Sequence, residues 1–357
     1  MNRRKKRKSN KYINIAIYSI LTACFLLFVT AFLLVLFSYR KKNQEIVEAM
    51  NQIAILEDEK SQMVTEEKLQ EEEEKVRQGM LDTIQNMMEE GNTTLSLLQY
   101  LYPDNVVVAD AGRYYFFPIS PTLEKNNLEE KEFVFPVLNE ETGKYEGKLS
   151  YKGKDGKKGK LGIDVSKFQG KINWSQVIKD GYTFAILRLG YRGYGSGKIV
   201  LDDSFEDNFE SALASGIDTG VYFFTESLTE KEAIEEADFV LENLNGAKLT
   251  MPVVLDVEES ANKEESRTKD LTAEQRTKNV IAFCNRIQEA GYETMIYGNL
   301  KSFMLMLDME QLEDYDKWFA YYRFPLHFPY KIRMWQYSSA GEVSGIKGKT
   351  DLNIMFY

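Results

Sequence analysis

The chain has 357 residues, a formal net charge of −10, one histidine and two cysteines. An acidic balance gives no support for nucleic-acid binding, and a lone His327 leaves Ser-His-Asp, Cys-His and His-built metal sites without their parts. No cofactor and no metal are expected, Cys24 and Cys284 lie in runs too unlike to be bridged, and any catalysis falls to carboxylates.

Residues 1–12 form a basic tail, and Ile13 to Phe37 then carries no charge. At 1.5 Å per residue this run is long enough to cross a hydrocarbon core of about 30 Å. A cleavable signal peptide would have an apolar core of about 7 to 15 residues and a small-x-small site after it; this run is longer and lacks the site. The positive-inside rule puts the amino terminus in the cytoplasm and the rest of the chain outside the cell membrane, a single-pass arrangement that Arg40, Lys41 and Lys42 on the far side weaken without reversing.

Residues 44–90 contain no proline and one glycine, Gly79, and favour helix throughout. Apolar residues recur at Ile46, Met50, Ile53 and Leu56, then at Leu69, Val76, Met80, Ile84 and Met87, but Glu71 to Glu74 break the seam. The expectation is a coiled-coil-like stalk that pairs weakly as a dimer and serves mainly as a spacer. Residues 94–160 read as a small β-rich segment: Val106–Val108, Tyr114–Phe117, Phe133–Phe135 and Lys148–Tyr151 are short strand-like runs, and the Gly/Lys tract 153–160 is a flexible junction or hairpin.

From residue 161 to 357 the pattern becomes regular. Strand-like runs fall at Leu161–Val165, Phe184–Leu189, Thr219–Phe224, Pro252–Val257, Thr294–Tyr297, Trp318–Tyr321, Arg333–Tyr337 and Thr350–Ile354. Helix-like runs at Trp174–Asp180, Ser204–Ser215, Glu230–Asn243 and Ala273–Ala290 separate the early ones. Thr229 with Glu232 and Thr272 with Gln275 have capping-box spacing, and Gly181, Gly216, Gly246 and Gly291 follow helix ends. Alternating strands and helices predict βαβ units and a parallel sheet. About eight strands, with few helices in the last third, predict a closed (β/α) barrel; no GxGxxG follows the first strand, as an open dinucleotide-binding sheet would require.

Asp164 ends the first strand, Asp256 and Glu258 end the fourth, and Asp351 begins the last. Strand periodicity puts Asp256 and Glu258 on one face, roughly 6.6 Å apart along the backbone. Because active sites of βα barrels sit at the carboxyl ends of the strands, the four acids should meet at one mouth. Tyr222, Phe224, Tyr297, Tyr322 and Trp335 lie at or near strand ends and are expected to line it, with Gln336 beside them as a further substrate contact. Aromatic faces beside carboxylates suit a sugar, although core packing is the ordinary fate of any single one of these rings.

The run Gly162-Ile163-Asp164-Val165-Ser166-Lys167-Phe168-Gln169-Gly170, followed by Ile172-Asn173-Trp174, resembles the opening of the family 25 glycoside hydrolases, the muramidases of the Chalaropsis, cellosyl and phage endolysin type. Ala185 to Tyr191, Gly220 to Phe224, Leu255 to Glu258, Ile296 to Asn299, Trp318 to Tyr322, Met334 to Tyr337 and Asp351 to Asn353 continue the likeness in order. The resemblance spans about 160–357. It implies a flattened barrel of eight strands with fewer helices than a TIM barrel, and cleavage, without a metal, of the β-1,4 bond between N-acetylmuramic acid and N-acetylglucosamine in peptidoglycan glycan strands. It further implies Glu258 as general acid, Asp256 as nucleophile or as the group orienting the substrate's N-acetyl, and Asp164 and Asp351 as flanking acids. The backbone spacing of the acid pair falls between retaining and inverting separations. Two departures stand out: Arg188-Leu189-Gly190-Tyr191-Arg192-Gly193 replaces the family's Lys-x-Ser/Thr-Glu-Gly, and Phe223 or Phe224 replaces a histidine. The function expected is that of a membrane-anchored wall muramidase. The alternatives are a catalytically weak wall-binding scaffold and a hydrolase of another β-linked N-acetyl sugar.

Overall fold

The computed structural model describes residues 3–62, 66–141 and 144–357, with side chains except at 3–13, 61–67 and 142–145. Met1 and Asn2 of the expected basic tail, the side chains of the rest of that tail, and residues 63–65 of the expected stalk lie outside the described residues. The chain divides into two units, one ending at Met87 and one running from Met88 to Tyr357.

In the first unit, helix α1 (Arg3–Gln62) runs without interruption through the apolar run and the first part of the stalk, and α2 (Glu66–Glu89) continues it in sequence. Across residues 14–37 every side chain but that of Val29 is exposed, and the helix is long and apolar enough to cross a membrane. Lys75 pairs with Glu71 at 3.0 Å and Glu72 at 3.1 Å, exposed contacts one helical turn away that add only tenths of a kcal/mol each.

The second unit opens with a short helix, α3 (Thr94–Leu101), whose first turn is capped by Thr93 accepting from the Ser96 amide. This helix precedes the strands of the β-rich segment. Strands β1 (Asn105–Asp110) and β2 (Arg113–Pro118) form a hairpin whose turn residues, Ala111 and Gly112, have φ of 48° and 73°, the twist a two-residue hairpin prefers. Strands β3 (Phe133–Val134), β4 (Val137–Asn139), β5 (Lys144–Glu146) and β6 (Ser150–Tyr151) pair as β3 with β6 and β4 with β5. The Gly/Lys tract is a hairpin: Gly153 donates to the Lys157 carbonyl, Lys152 bridges Lys158, and Gly156 takes φ 87°.

The barrel follows as β7 (Gly159–Val165), α4 (Trp174–Lys179), β8 (Phe184–Arg192), β9 (Ile199–Leu201), α5 (Phe205–Ser215), β10 (Asp218–Phe224), α6 (Glu230–Leu244), β11 (Val253–Asp256), α7 (Ala273–Glu289), β12 (Thr294–Asn299), β13 (Asp316–Ala320), β14 (Met334–Gly341) and β15 (Thr350–Phe356). Strands β7, β8 and β10 to β14 run parallel in series, with β8 paired to both β7 and β10. β15 closes the ring antiparallel to β14 and β7, so the fully parallel sheet expected from βαβ alternation is a mixed one of eight strands. The reason is the length of the link: residues 342–349 between β14 and β15 are too few for a crossover, whereas 321–333, also without a helix, are enough to keep β14 parallel to β13. β9 hangs on β8 beyond the point where β7 ends.

The helices begin as their sequences dictate, with Thr229 accepting from the Glu232 amide and Thr272 from the Gln275 amide. The reciprocal half of each expected box is absent, because Glu232 accepts instead from the Leu228 amide and Gln275 donates to Asn279. Gly181, Gly216, Gly246 and Gly291 take φ between 74° and 93° after helix ends, as expected.

Two cores result. Phe184, Ile186, Met251, Val254, Met295, Trp318, Met334 and Met355 fill the barrel's interior, where the Phe184 ring occupies the space a side chain at Gly162 would take. Alternate strand residues, such as Ile163, Leu187, Val221, Leu255, Ile296 and Phe319, face outward into a larger core under the helices and the preceding segment. Phe133 of β3 belongs to it, tilted or edge-on to Phe324, Trp335 and Phe356 at ring distances of 5.4 to 6.1 Å.

Candidate active site

The reversal of β15 decides how the acids meet. Six of the other strands bring their carboxyl ends to one rim after β7, and an antiparallel strand brings its amino end to that same rim. Asp351, the second residue of β15, therefore stands opposite Asp164, the next to last of β7. Asp256 ends β11 beside Phe224 of β10 and Tyr297 of β12, and Glu258 follows one pleat later. The structure thus brings the four sequence-predicted acids to one end of the barrel, Asp164 and Asp256 buried and Glu258 half-buried.

The side chains beneath them form a relay of amides and rings. Gln336 of β14 donates from Nε2 to Asp164 Oδ2 at 2.9 Å, and its Oε1 accepts from the hydroxyls of Tyr297 at 3.0 Å and Tyr322 at 2.8 Å. Asn353 of β15 donates to the same Asp164 Oδ2 at 2.8 Å while its Oδ1 accepts from Trp318 Nε1 at 2.9 Å. With both amides on Oδ2, a proton on Asp164 resides on Oδ1. Among the described residues, Asp256 Oδ1 is buried and accepts no hydrogen bond. A buried carboxylate oxygen left open is costly, by about 1–3 kcal/mol, and is the kind of atom a substrate donor repays.

Crowding and burial push the whole set upward. Burial is the first cause at every acid. It combines with repulsion from Asp351 to raise Asp164 to about 8 against the two amide donors, and with the same repulsion to raise Glu258 to about 7. Asp351 rises to about 6, held down by its hydrogen bond with Asp164. Asp256 rises through burial and then through Glu258 and Asp164, with Arg188 opposing. These groups titrate as a set rather than singly.

Of the expected lining residues, Tyr222 faces the interior and feels the charges of Asp164, Asp256 and Asp351. Tyr297 and Tyr322 meet at Gln336, and half-buried Phe224 sits at the end of β10. Phe223 points outward onto Phe239 and Phe283, so of the two phenylalanines only Phe224 stands toward the rim. Trp335 is a correction. It follows Met334, which faces the interior, so its ring falls on the outer side among Phe133, Phe324 and Tyr337, with Nε1 donating to the Tyr321 carbonyl at 2.6 Å. It lines no mouth.

Two features escaped the sequence. Asn353 and Trp318 stood inside matching motifs without a role. Arg188, a departure from the family pattern, pairs through Nε with the fully buried Asp202 carboxylate at 2.7 Å and lies under the exposed Phe168 ring at 5.3 Å. A lone arginine inside the apolar run Ala185–Leu189 was the available signal, since a buried charge demands a partner.

Comparison with known proteins agrees with this geometry. The model of the glycosyl hydrolases family 25 matches residues 163–346, a span that holds Asp164, Asp256 and Glu258 and stops short of Asp351. The uncharacterized protein YegX of Escherichia coli K12 is 28% identical over 197 residues, 54% of this chain and 68% of its own. Lysozyme M1 of Streptomyces globisporus is 28% identical over 208 residues, 55% of this chain and 67% of its own. The solved structure of the modular autolysin LytC from Streptococcus pneumoniae with a synthetic peptidoglycan ligand shares the fold with a TM-score of 0.51 at 20% identity, over 70% of this chain and 66%, just under two thirds, of that one. The family match covers most of the barrel and includes its acid pair: the chain belongs to glycosyl hydrolases family 25, as a lysozyme-type glycoside hydrolase.

Proposed function

We propose that the chain is a membrane-anchored muramidase that hydrolyses the β-1,4 bond between N-acetylmuramic acid and N-acetylglucosamine in peptidoglycan. The observation that carries this reading is the convergence of Asp164, Asp256, Glu258 and Asp351 on one rim, with Glu258 raised to about 7 by burial and by Asp351. A carboxylic acid that keeps its proton near neutrality is what protonation of a glycosidic oxygen requires. In this mechanism Glu258 donates to the leaving oxygen as the sugar takes on oxocarbenium character. Asp256, with Oδ1 unpartnered and Arg188 favouring its anion, either attacks the anomeric carbon or accepts from the N-acetyl N–H; water then bonds to the anomeric carbon, and the proton it gives up restores the acid. Asp164 and Asp351 share a proton and set the local charge, and Gln336 holds Tyr297 and Tyr322 in place. Tyr222 and Phe224 contact the sugar.

The anchor rests on α1, whose uncharged run Ile13–Phe37 follows a basic tail, so that the barrel faces the wall from the outer side of the cell membrane. Removing residues 1–39 should turn a membrane-bound protein into a soluble one; a full-length chain that already fractionates as soluble refutes the anchor. For the chemistry, purified protein is incubated with peptidoglycan and the products are weighed by mass spectrometry. Fragments ending in reducing N-acetylmuramic acid are expected, and Glu258→Gln should lower their release at least about 100-fold with the fold intact. Products ending in reducing N-acetylglucosamine, or a Glu258→Gln rate within tenfold of wild type, refute the assignment.

A further inference from the structure

The loop that carries Glu258 runs from the end of β11 at Asp256 to the start of α7 at Ala273, and its regular structure amounts to one 3-10 turn, Lys263–Glu265. Such a loop holds a catalytic group only as firmly as its tethers. Its far end is tied down by Ser266 and Thr268 donating to the buried Glu226 carboxylate at 2.9 and 2.6 Å, and by Arg267 pairing with Glu232 at 2.7 Å. Its near end is held ahead of Glu258 by the Val257 amide donating to the Tyr297 carbonyl at 2.9 Å, and behind Glu258 by side-chain contacts. Glu259 Oε2 accepts from Lys301 Nζ at 2.7 Å, and Glu259 Oε1 pairs with Lys263 at 2.8 Å.

Lys301 does not belong to the loop. It follows β12 and leads into a π-helical turn, Ser302–Met306, and its side chain is only 20% exposed. The same ammonium donates at 2.6 Å to Asp110, the residue before the β1–β2 turn. One cation therefore joins three elements: the hairpin of the segment preceding the barrel, the end of β12, and the residue immediately after Glu258. Asp110 is held below the usual carboxylate range by its hydrogen bond from Lys301. Glu259 is lowered as well, since the bonds from Lys263 and Lys301 outweigh its burial. Both carboxylates are therefore ionised at neutral pH, and the cation is gripped from two sides.

We propose that Lys301 is a positioning residue for the proton donor: through Asp110 and Glu259 it makes the β1–β2 hairpin a brace that fixes the backbone behind Glu258. Neighbouring side chains on extended backbone point to opposite sides, so an anchor at Glu259 restrains Glu258 from behind without occupying the mouth. The hairpin lies outside the residues matched by the family and is thereby given work in the same reaction. The inference rests on Glu258 being the acid. Small displacements of a catalytic group are expensive, up to about 100-fold per ångström.

The test uses the full chain with Asp110→Asn, Lys301→Met and Lys301→Arg. Hydrogen exchange across 257–265 should quicken in the first two, while the unfolding midpoint of the barrel stays within about 3 °C. Turnover on peptidoglycan should fall roughly 5- to 100-fold with KM changed less than threefold. Lys301→Arg, which can still bridge two carboxylates, should recover at least half of the lost turnover. Unchanged exchange in Lys301→Met overturns the brace whatever the activity. So does faster exchange with undiminished turnover, which would make the contact a mere attachment of the hairpin. A wild-type chain that releases no reducing ends refutes the muramidase reading and leaves the exchange comparison to decide the brace.

Discussion

Asp351 and Asp164 stand opposite each other across the antiparallel pair of β15 and β7, and the charge on the first raises both the second and Glu258. Asp351→Asn keeps the shape and removes that repulsion, so Glu258 should surrender its proton at a lower pH. The alkaline limb of peptidoglycan hydrolysis, expected near pH 7 in the wild type, should move toward acid by about half a pH unit or more. A limb that stays in place or moves to higher pH contradicts the proposed coupling.

The same crowding costs stability. A carboxyl whose folded pKa lies above its unfolded value binds more protons when folded, so stability falls as pH rises from the unfolded value near 4.3 to the folded one near 7. Glu258→Gln removes a group of this kind. The variant should be about 1–2 kcal/mol more stable than the wild type at pH 8 and equal to it at pH 4, by denaturant unfolding of the barrel. Equal gains at both pH values would assign the effect to packing instead.

Gln336 serves three partners through one amide. In Gln336→Leu, the hydroxyls of Tyr297 and Tyr322 lose their acceptor and Asp164 loses a donor. A loss of about 1–3 kcal/mol is expected, because the Tyr297 hydroxyl and Asp164 are buried. The fluorescence of Trp318, stacked edge-on to Tyr297 at 4.7 Å, offers a local readout alongside calorimetry.

Arg188→Met leaves the Asp202 carboxylate buried without its countercharge, although the Lys167 amide and Ser204 continue to donate to it. Removing one partner of a buried pair costs about 3–5 kcal/mol, and the remaining donors argue for the lower end. The double variant Arg188→Met, Asp202→Asn should recover part of that loss. No recovery would mean that the arginine acts through its stacking beneath Phe168 rather than through its charge.

Much of this architecture was legible because local chemistry and tertiary demand coincide. The run Met251 to Glu258 reads as a buried strand ending in acids, and it is one, with Val253 and Leu255 outward and Val254 and Asp256 inward. The helices of the barrel start and stop within a residue or two of their caps and glycines. What escaped depends on partners distant in sequence. The direction of β15 is set by the shortness of the link before it, a fact about a connection rather than about residues 350–356. Trp335 looked like a sugar platform because a tryptophan near a strand end is equally at home on either face. Only the parity of β14, fixed by Met334 pointing inward, sends it outward. Lys301 and Asp110 lie 191 positions apart, and no periodicity links them.

The turned-back final strand also has a mechanical meaning. Tyr357, which follows it, exchanges backbone hydrogen bonds with Lys158, just before β7 begins at Gly159 and at the end of the barrel opposite the acids. Tension arriving along the chain from residue 158 is carried into β7 lengthwise, where its ladders to β15 and β8 share the load together instead of parting one rung at a time. Asp164 and Asp351 occupy the far end of that ladder. An enzyme working on a stiff polymer while tethered by its leading segment would feel the pull first where no chemistry is done.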